Sequence, residues 1–181
     1  MYILIAIVIL ICLYGISVYN KGVQLRNFVR EAFSTMDVYL KKRWDLIPNL
    51  VETVKGYSDH EKSVFTELTN LRTKNYEGMS DNEKLQTNAQ INSVLPKLLA
   101  VAENYPDLKA NESYNQLMNN LSGIENEIAN ARKYYNGTVR ELNTFTEIFP
   151  SNIFCSIFSI HPAELFEISD SERENVKVNF S

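Results

Sequence analysis

"RWDLIPNLVETVKGYSDHEKSVF", residues 43–65, has the spacing of one long amphipathic helix with Pro48 set inside it. Its apolar positions continue a longer series: Leu25, Val29, Ala32, Met36 and Tyr39, then Ile47, Leu50, Val54, Tyr57, Val64, Leu68 and Leu71. Steps of three and four make the seam of a packed or coiled helix, where a strand would alternate at two. Arg43 and Glu61 are the charges that interrupt the seam. Because the phase is the same on both sides of Pro48, the pattern predicts a helix over residues 22–74 that continues through the proline. A kink is expected there, since the ring removes the hydrogen bond that the Trp44 carbonyl would have accepted. A rival reading reverses the chain at Ile47-Pro48 and makes four shorter helices, but no Gly or polar turn marks a reversal.

Upstream, Tyr2–Tyr19 is a run of eighteen residues without a charge. A helix of that length covers about 27 Å, close to the hydrocarbon thickness of a bilayer. Tyr2 and Tyr19 stand at its ends, where amphipathic rings favour the headgroup level. A cleaved signal peptide is the competing reading, but no basic residue precedes the run and no clean small-x-small site follows it. Residues 1–20 therefore read as a retained single-pass anchor. Lys21, Arg26 and Arg30 follow closely with nothing basic before the run, which predicts an outside N-terminus and a cytoplasmic bundle. Charge is distributed to match: residues 20–74 hold ten basic and seven acidic side chains, whereas residues 75–181 hold eight and fifteen. The basic share adjoins the apolar run, where anionic headgroups attract it. An overall net charge of −4 gives no sign of a nucleic-acid partner.

Downstream, "SDNE" is a reciprocal capping box in which Ser80 caps and Glu83 reaches back, predicting a helix over residues 81–105. Leu85, Ala89, Ile91, Val94, Leu98, Val101 and Tyr105 carry its expected face, and Pro96 is expected to kink it. Pro106 stops that helix and Asn111 is the candidate cap of the next, over residues 112–149. There Tyr114, Leu117, Leu121, Ile124, Ile128, Ala131, Tyr135, Thr138, Leu142, Phe145 and Phe149 keep a step of three or four throughout. Pro150 ends the series, and residues 151–181 read as a short apolar tail followed by a polar, extended end.

Lengths lead to an expectation about assembly. The first helix beyond the anchor would run roughly 80 Å and the second roughly 38 Å, so the second covers only half of the first. Phe28, Phe33, Met36, Tyr39 and Leu40 would then lack an internal partner. A stripe of that size predicts self-association into a homo-oligomer through residues 25–47.

Chemistry leaves few marks. His60 and His161 are a hundred residues apart, and "HE" at residues 60–61 lacks the second histidine of a zinc helix. No metal or cofactor site and no catalytic group is expected; Asp45, Asn49 and Glu52 share one helix side, but a solvated face explains them. Arg43 and Glu61 in one seam, with Glu125 and Arg132 flanking another, are candidates for inter-helix pairs that set register. Cys12 and Cys155 make no disulfide framework.

Taken in order, "AFSTMDVYLKKRWDLIPNLVETVKGYSDHEKSVF", "ENYPDLKANESYNQL", "NEIANARKYYNGTVRELNTFTEIFPSNIF" and "VKVNF" resemble the LemA family of bacterial membrane proteins. The likeness implies an all-α fold: an N-terminal transmembrane helix with a short external end, continuing into a long kinked helix of an antiparallel up-down bundle. It implies residence in the bacterial inner membrane and no established catalytic activity. "FCSIFSIHPAELFEI" departs from the alanine- and glycine-bearing stretch usual at that place. The combined expectation is a non-enzymatic, membrane-anchored scaffold that self-assembles at the bilayer. The alternative is an adaptor or regulator that recruits another membrane protein.

Overall fold

The computed structural model describes residues 1–56, 66 and 75–166. Expectations for Tyr57, His60, Glu61, Val64, Leu68 and Leu71, and for the polar end beyond Phe166, lie outside the described residues. The protein is all-helical, with no strand among the described residues. Helix α1 runs from Tyr2 to Lys55, so the apolar run and the first bundle helix are one element that passes through Pro48 without a break. The chain does not reverse at Ile47-Pro48. A 3-10 turn at Tyr76–Gly78 precedes α2, Asp81–Glu103, which likewise runs through Pro96. A single turn, α3, covers Pro106–Lys109; α4 covers Glu112–Glu147 and α5 covers Ser151–Ile157.

The punctuation is local chemistry. Glu83 Oε2 accepts the Ser80 backbone N–H at 2.8 Å and the Glu83 N–H faces Ser80 Oγ at 3.4 Å, the reciprocal cap that starts α2. Pro106 opens α3, where its missing N–H costs nothing. Asn111 Oδ1 accepts the Tyr114 N–H at 3.1 Å and starts α4.

The chain divides into two compact units, and α1 and α4 each contribute to both. In the first, built from Met1–Met36 and Asn130–Phe166, α1 buries Val18, Leu25, Val29, Ala32, Phe33 and Met36. Helix α4 buries Ala131, Tyr135, Val139 and Leu142 there, and the Phe33 and Tyr135 rings meet edge to face at 5.9 Å. Val139 takes the inward place that the regular series had assigned to Thr138, whose hydroxyl donates to the Tyr135 carbonyl instead.

Beyond α4 the chain is not a free tail. Helix α5 buries Ser151 and Cys155, and residues 160–166 follow outside any helix or strand. Asn143 Nδ2 donates to the Ala163 carbonyl and its Oδ1 accepts the Ala163 N–H, at 2.9 and 2.8 Å. Asn136 makes the same two bonds with Phe166, at 3.0 and 2.8 Å, and the Tyr135 hydroxyl donates to the Glu164 carbonyl. The match is metric: seven helical residues rise about 10.5 Å and three extended residues span about 10 Å. Two side-chain amides thus satisfy main-chain groups of a segment that lies outside any helix.

The second unit, built on Asp37–Ala129, has a core of Ile47, Leu50 and Val54 from α1, Ile91, Val94, Leu95, Leu98 and Ala102 from α2, Leu108 from α3, and Tyr114 and Leu121 from α4. Ile91, Val94 and Leu98 of α2 are buried as expected, and the start of the helix departs from the expected face. Thr87 and Asn88 point inward while Ala89 is exposed. Thr87 donates to Met79 Sδ at 3.7 Å, and Asn88 turns in toward a buried charge, described below.

One expectation is corrected. Phe33, Met36 and Leu40, expected to lie uncovered, are buried within the single chain; Tyr39 is half-buried and Phe28 is exposed. The comparison of lengths had set α1 against α2, whereas cover also comes from α4, whose 36 residues reach about 54 Å.

Candidate functional site: a buried arginine and an open groove

Arg43 lies on the inward side of α1 with 1% of its surface exposed. Burying a guanidinium without partners is very costly, so the second unit is arranged around it. Its Nη1 donates to Glu125 Oε1 of α4 at 2.9 Å and to Asn92 Oδ1 of α2 at 2.7 Å. Nη2 donates to the Asn88 carbonyl at 3.3 Å and to the Asn88 side-chain oxygen. One cation therefore ties α1, α2 and α4 together, and it explains why α2 turns Asn88 inward. Glu125 keeps partial access to water, its side chain being 38% exposed.

A second polar cluster closes the α1 to α2 connection. Asp37 accepts the Tyr76 hydroxyl at 2.7 Å and Lys84 Nζ at 2.6 Å, and Lys84 also stands over the Tyr76 ring, 5.3 Å from its centroid. Trp44 packs on the same ring at 5.6 Å. Burial, and then the bond to the Asp37 carboxylate, push the Tyr76 phenol far above its ordinary value. Above about pH 10 an unfolded chain ionises this phenol while the folded one keeps its proton, so stability falls as pH rises, by about 1.4 kcal/mol per pH unit for one group. Denaturant midpoints measured at rising alkaline pH are expected to show a shallower decline for Tyr76→Phe. Identical slopes for parent and variant would remove this assignment.

Outside the core, α1 and α4 border an open groove of about 730 Å³. Tyr39, Lys42 and Asp45 line it from α1, and Asn120, Gly123 and Glu127 from α4. Lys41 Nζ sits 3.2 Å from Asp45, and Lys42 Nζ lies 5.2 Å from the Tyr39 ring centre. The lining offers both signs of charge, side-chain amides and apolar edges, which suits a folded peptide surface better than a small apolar ligand.

The residues singled out from sequence separate into groups. Arg43 and Glu125 come together across helices. Arg132 lies in the first unit, its guanidinium carbon 4.4 Å from the Phe166 ring centre, and Glu61 lies outside the described residues. Asp45 faces the groove, while Asn49 and Glu52 are exposed and do not line it. Among the described residues no group of three His, Cys, Asp or Glu is placed to hold a metal ion. Cys12 and Cys155 are both free thiols. The resemblance marks Asn136 as a recurrent position without giving it a role, and sequence reading missed Asn88, Asn92 and Asn143; the signal available for Asn136 and Asn143 was their spacing of seven on one helix.

Together these features define a class: a helical-bundle protein carried on an apolar helix long enough to cross a membrane. The chain belongs to the LemA family, which matches residues 32–180. It is 25% identical to Protein LemA of Metamycoplasma hominis, over 87% of this chain and 72% of that protein. It is 24% identical to Magnetosome protein MamQ 2 of Paramagnetospirillum magneticum and 21% identical to Magnetosome protein MamQ of Magnetospirillum gryphiswaldense, over 82% of this chain in each case. The chain spans 64% of the length of these two MamQ proteins.

Proposed function

We propose that this chain is a non-catalytic, single-pass protein of the bacterial inner membrane, with its bundle on the cytoplasmic side, that holds another membrane protein through the groove of its second unit. The observation that carries the reading is continuity: the exposed apolar run Tyr2–Tyr19 and the groove residues Tyr39, Lys42 and Asp45 belong to one helix. An anchor and a mixed-charge surface carried by one helix suit a tether. Lys21, Arg26 and Arg30 support the orientation. The adaptor reading stands ahead of the self-assembling scaffold because most of the stripe offered for assembly is core. Its likeness to two magnetosome proteins is compatible with service to a larger assembly.

Gly123 provides the test, since a side chain added there meets nothing within 4 Å. Gly123→Trp fills the groove without touching the core, and replacing a helix-interior glycine is expected to leave stability unchanged or raise it by about 0.5 kcal/mol. Tagged full-length protein is extracted in mild detergent and its mass measured. A foreign membrane subunit at fixed stoichiometry, lost in Gly123→Trp, is the expected result. A homogeneous high-order homo-oligomer that ignores the substitution would return the scaffold to first place.

A further inference from the structure

Residues 148–163, "IFPSNIFCSIFSIHPA", contain no Asp, Glu, Lys or Arg. Large apolar side chains nevertheless stand open there: Phe149 is 79% exposed, Ile153 50% and Ile157 67%. Ile153 and Ile157 are four apart on α5 and share a face, while Cys155 points into the unit. Phe149, which the regular series of α4 placed on the buried face, is among the most exposed side chains of the unit.

What this surface meets follows from what α5 is packed on. The Phe154 ring sits edge-on to Tyr14 at 5.4 Å and Phe158 to Tyr19 at 5.3 Å. Gly15 and Gly22 permit the approach: a Cβ on Gly15 would lie 3.0 Å from the Phe154 ring, and one on Gly22 would collide with Ile160. Tyr14, Gly15 and Tyr19 all belong to the uncharged run. Register agrees. Lys21 pairs with Glu141 at 3.5 Å. Seven residues further along the antiparallel α4, about 10.5 Å, bring Ile148 level with Tyr14. Tyr14 is about 7.5 Å along the helix from Tyr19, within the depth of interfacial insertion.

The geometry points to a second membrane element: Ile148–Phe158 is a wedge whose Phe149, Ile153 and Ile157 side chains enter the acyl chains of the leaflet beside the inner end of α1. The inference rests on the proposed reading that α1 spans the bilayer. Eleven residues cannot cross it. Glu147 before the wedge and His161 after it are exposed and keep both ends at the headgroups, so insertion is shallow. Attachment is then two-point, a span and a wedge braced against it, which fixes the rotation of α1 about its own axis as well as its depth.

Tryptophan quenching tests this on full-length protein in phosphatidylcholine–phosphatidylglycerol vesicles, with the Trp44 signal of the parent subtracted. Ile153→Trp is placed at the wedge, Ile9→Trp within the span and Val38→Trp on the second unit, all at exposed positions. Lipid brominated near the carbonyls is expected to quench Ile153→Trp at least about twofold more than Val38→Trp, and mid-chain bromine to act chiefly on Ile9→Trp. Quenching of Ile153→Trp by aqueous iodide as strong as that of Val38→Trp would overturn the wedge while leaving the span standing. Shielding of Ile153→Trp from both iodide and bromine would overturn it in favour of a second copy of the chain on that face. Loss of bromine quenching at Ile9→Trp as well would overturn the span, and the wedge with it.

Discussion

Glu125→Ala is expected to lower the unfolding free energy by about 3 kcal/mol, measured by denaturant titration in detergent, because it leaves the Arg43 cation buried with amide and carbonyl partners alone. The lower end of the range for broken buried pairs applies, since the Glu125 carboxylate is itself partly wet and shares the guanidinium with Asn88 and Asn92. The asymmetry of ion burial gives the sharper form of the test. Replacing both partners, as Arg43→Met with Glu125→Met, removes the uncompensated charge and is expected to return to within about 1 kcal/mol of the parent. A single substitution that cost no more than the double would show that Arg43 is not held by Glu125. The double variant also tests register: three helices lose a cation that bonds to two of them from the third, so a loosened α2 with faster amide exchange around Asn88 is the expected companion effect.

Why part of this was legible and part was not comes down to the range of each interaction. The caps at Ser80 and Asn111 are bonds between residues three apart, so local spacing revealed them. The α1 seam was equally readable: Leu25, Val29, Ala32 and Met36 are all buried, as their period implies. The inward turn of Asn88 at the start of α2 was not, because it serves Arg43, more than forty residues away. A hydrophobic period cannot register a polar face that is buried to solvate a charge. Asn136 and Asn143 fall in the same class: their partners are main-chain groups of Phe166 and Ala163, which carry no side-chain signature. Phe149 marks the opposite limit. It keeps the period of α4 while the helix itself ends at Glu147, so regular spacing outran the element that gives spacing its meaning.

Phe33→Ala is expected to destabilise the first unit by about 3 to 5 kcal/mol without changing the mass of the detergent-solubilised particle. Phe33 keeps only 7% of its surface exposed, and its ring stands edge to face with Tyr135. Truncation therefore removes a large buried area, the aromatic contact, and the filling of a space whose neighbours Val29 and Met36 are fixed on the same α1 face. The result separates two physical roles that the same stripe could serve. A core side chain, when cut back, lowers the melting temperature and leaves association alone; an interface side chain does the reverse, lowering the mass and sparing the fold. Phe28→Ala is the matched control, exposed on the same helix, and its expected cost is within about 0.5 kcal/mol. If Phe33→Ala dissociated a larger particle while its melting temperature held, the burial of Phe33 within one chain would not describe the protein in solution.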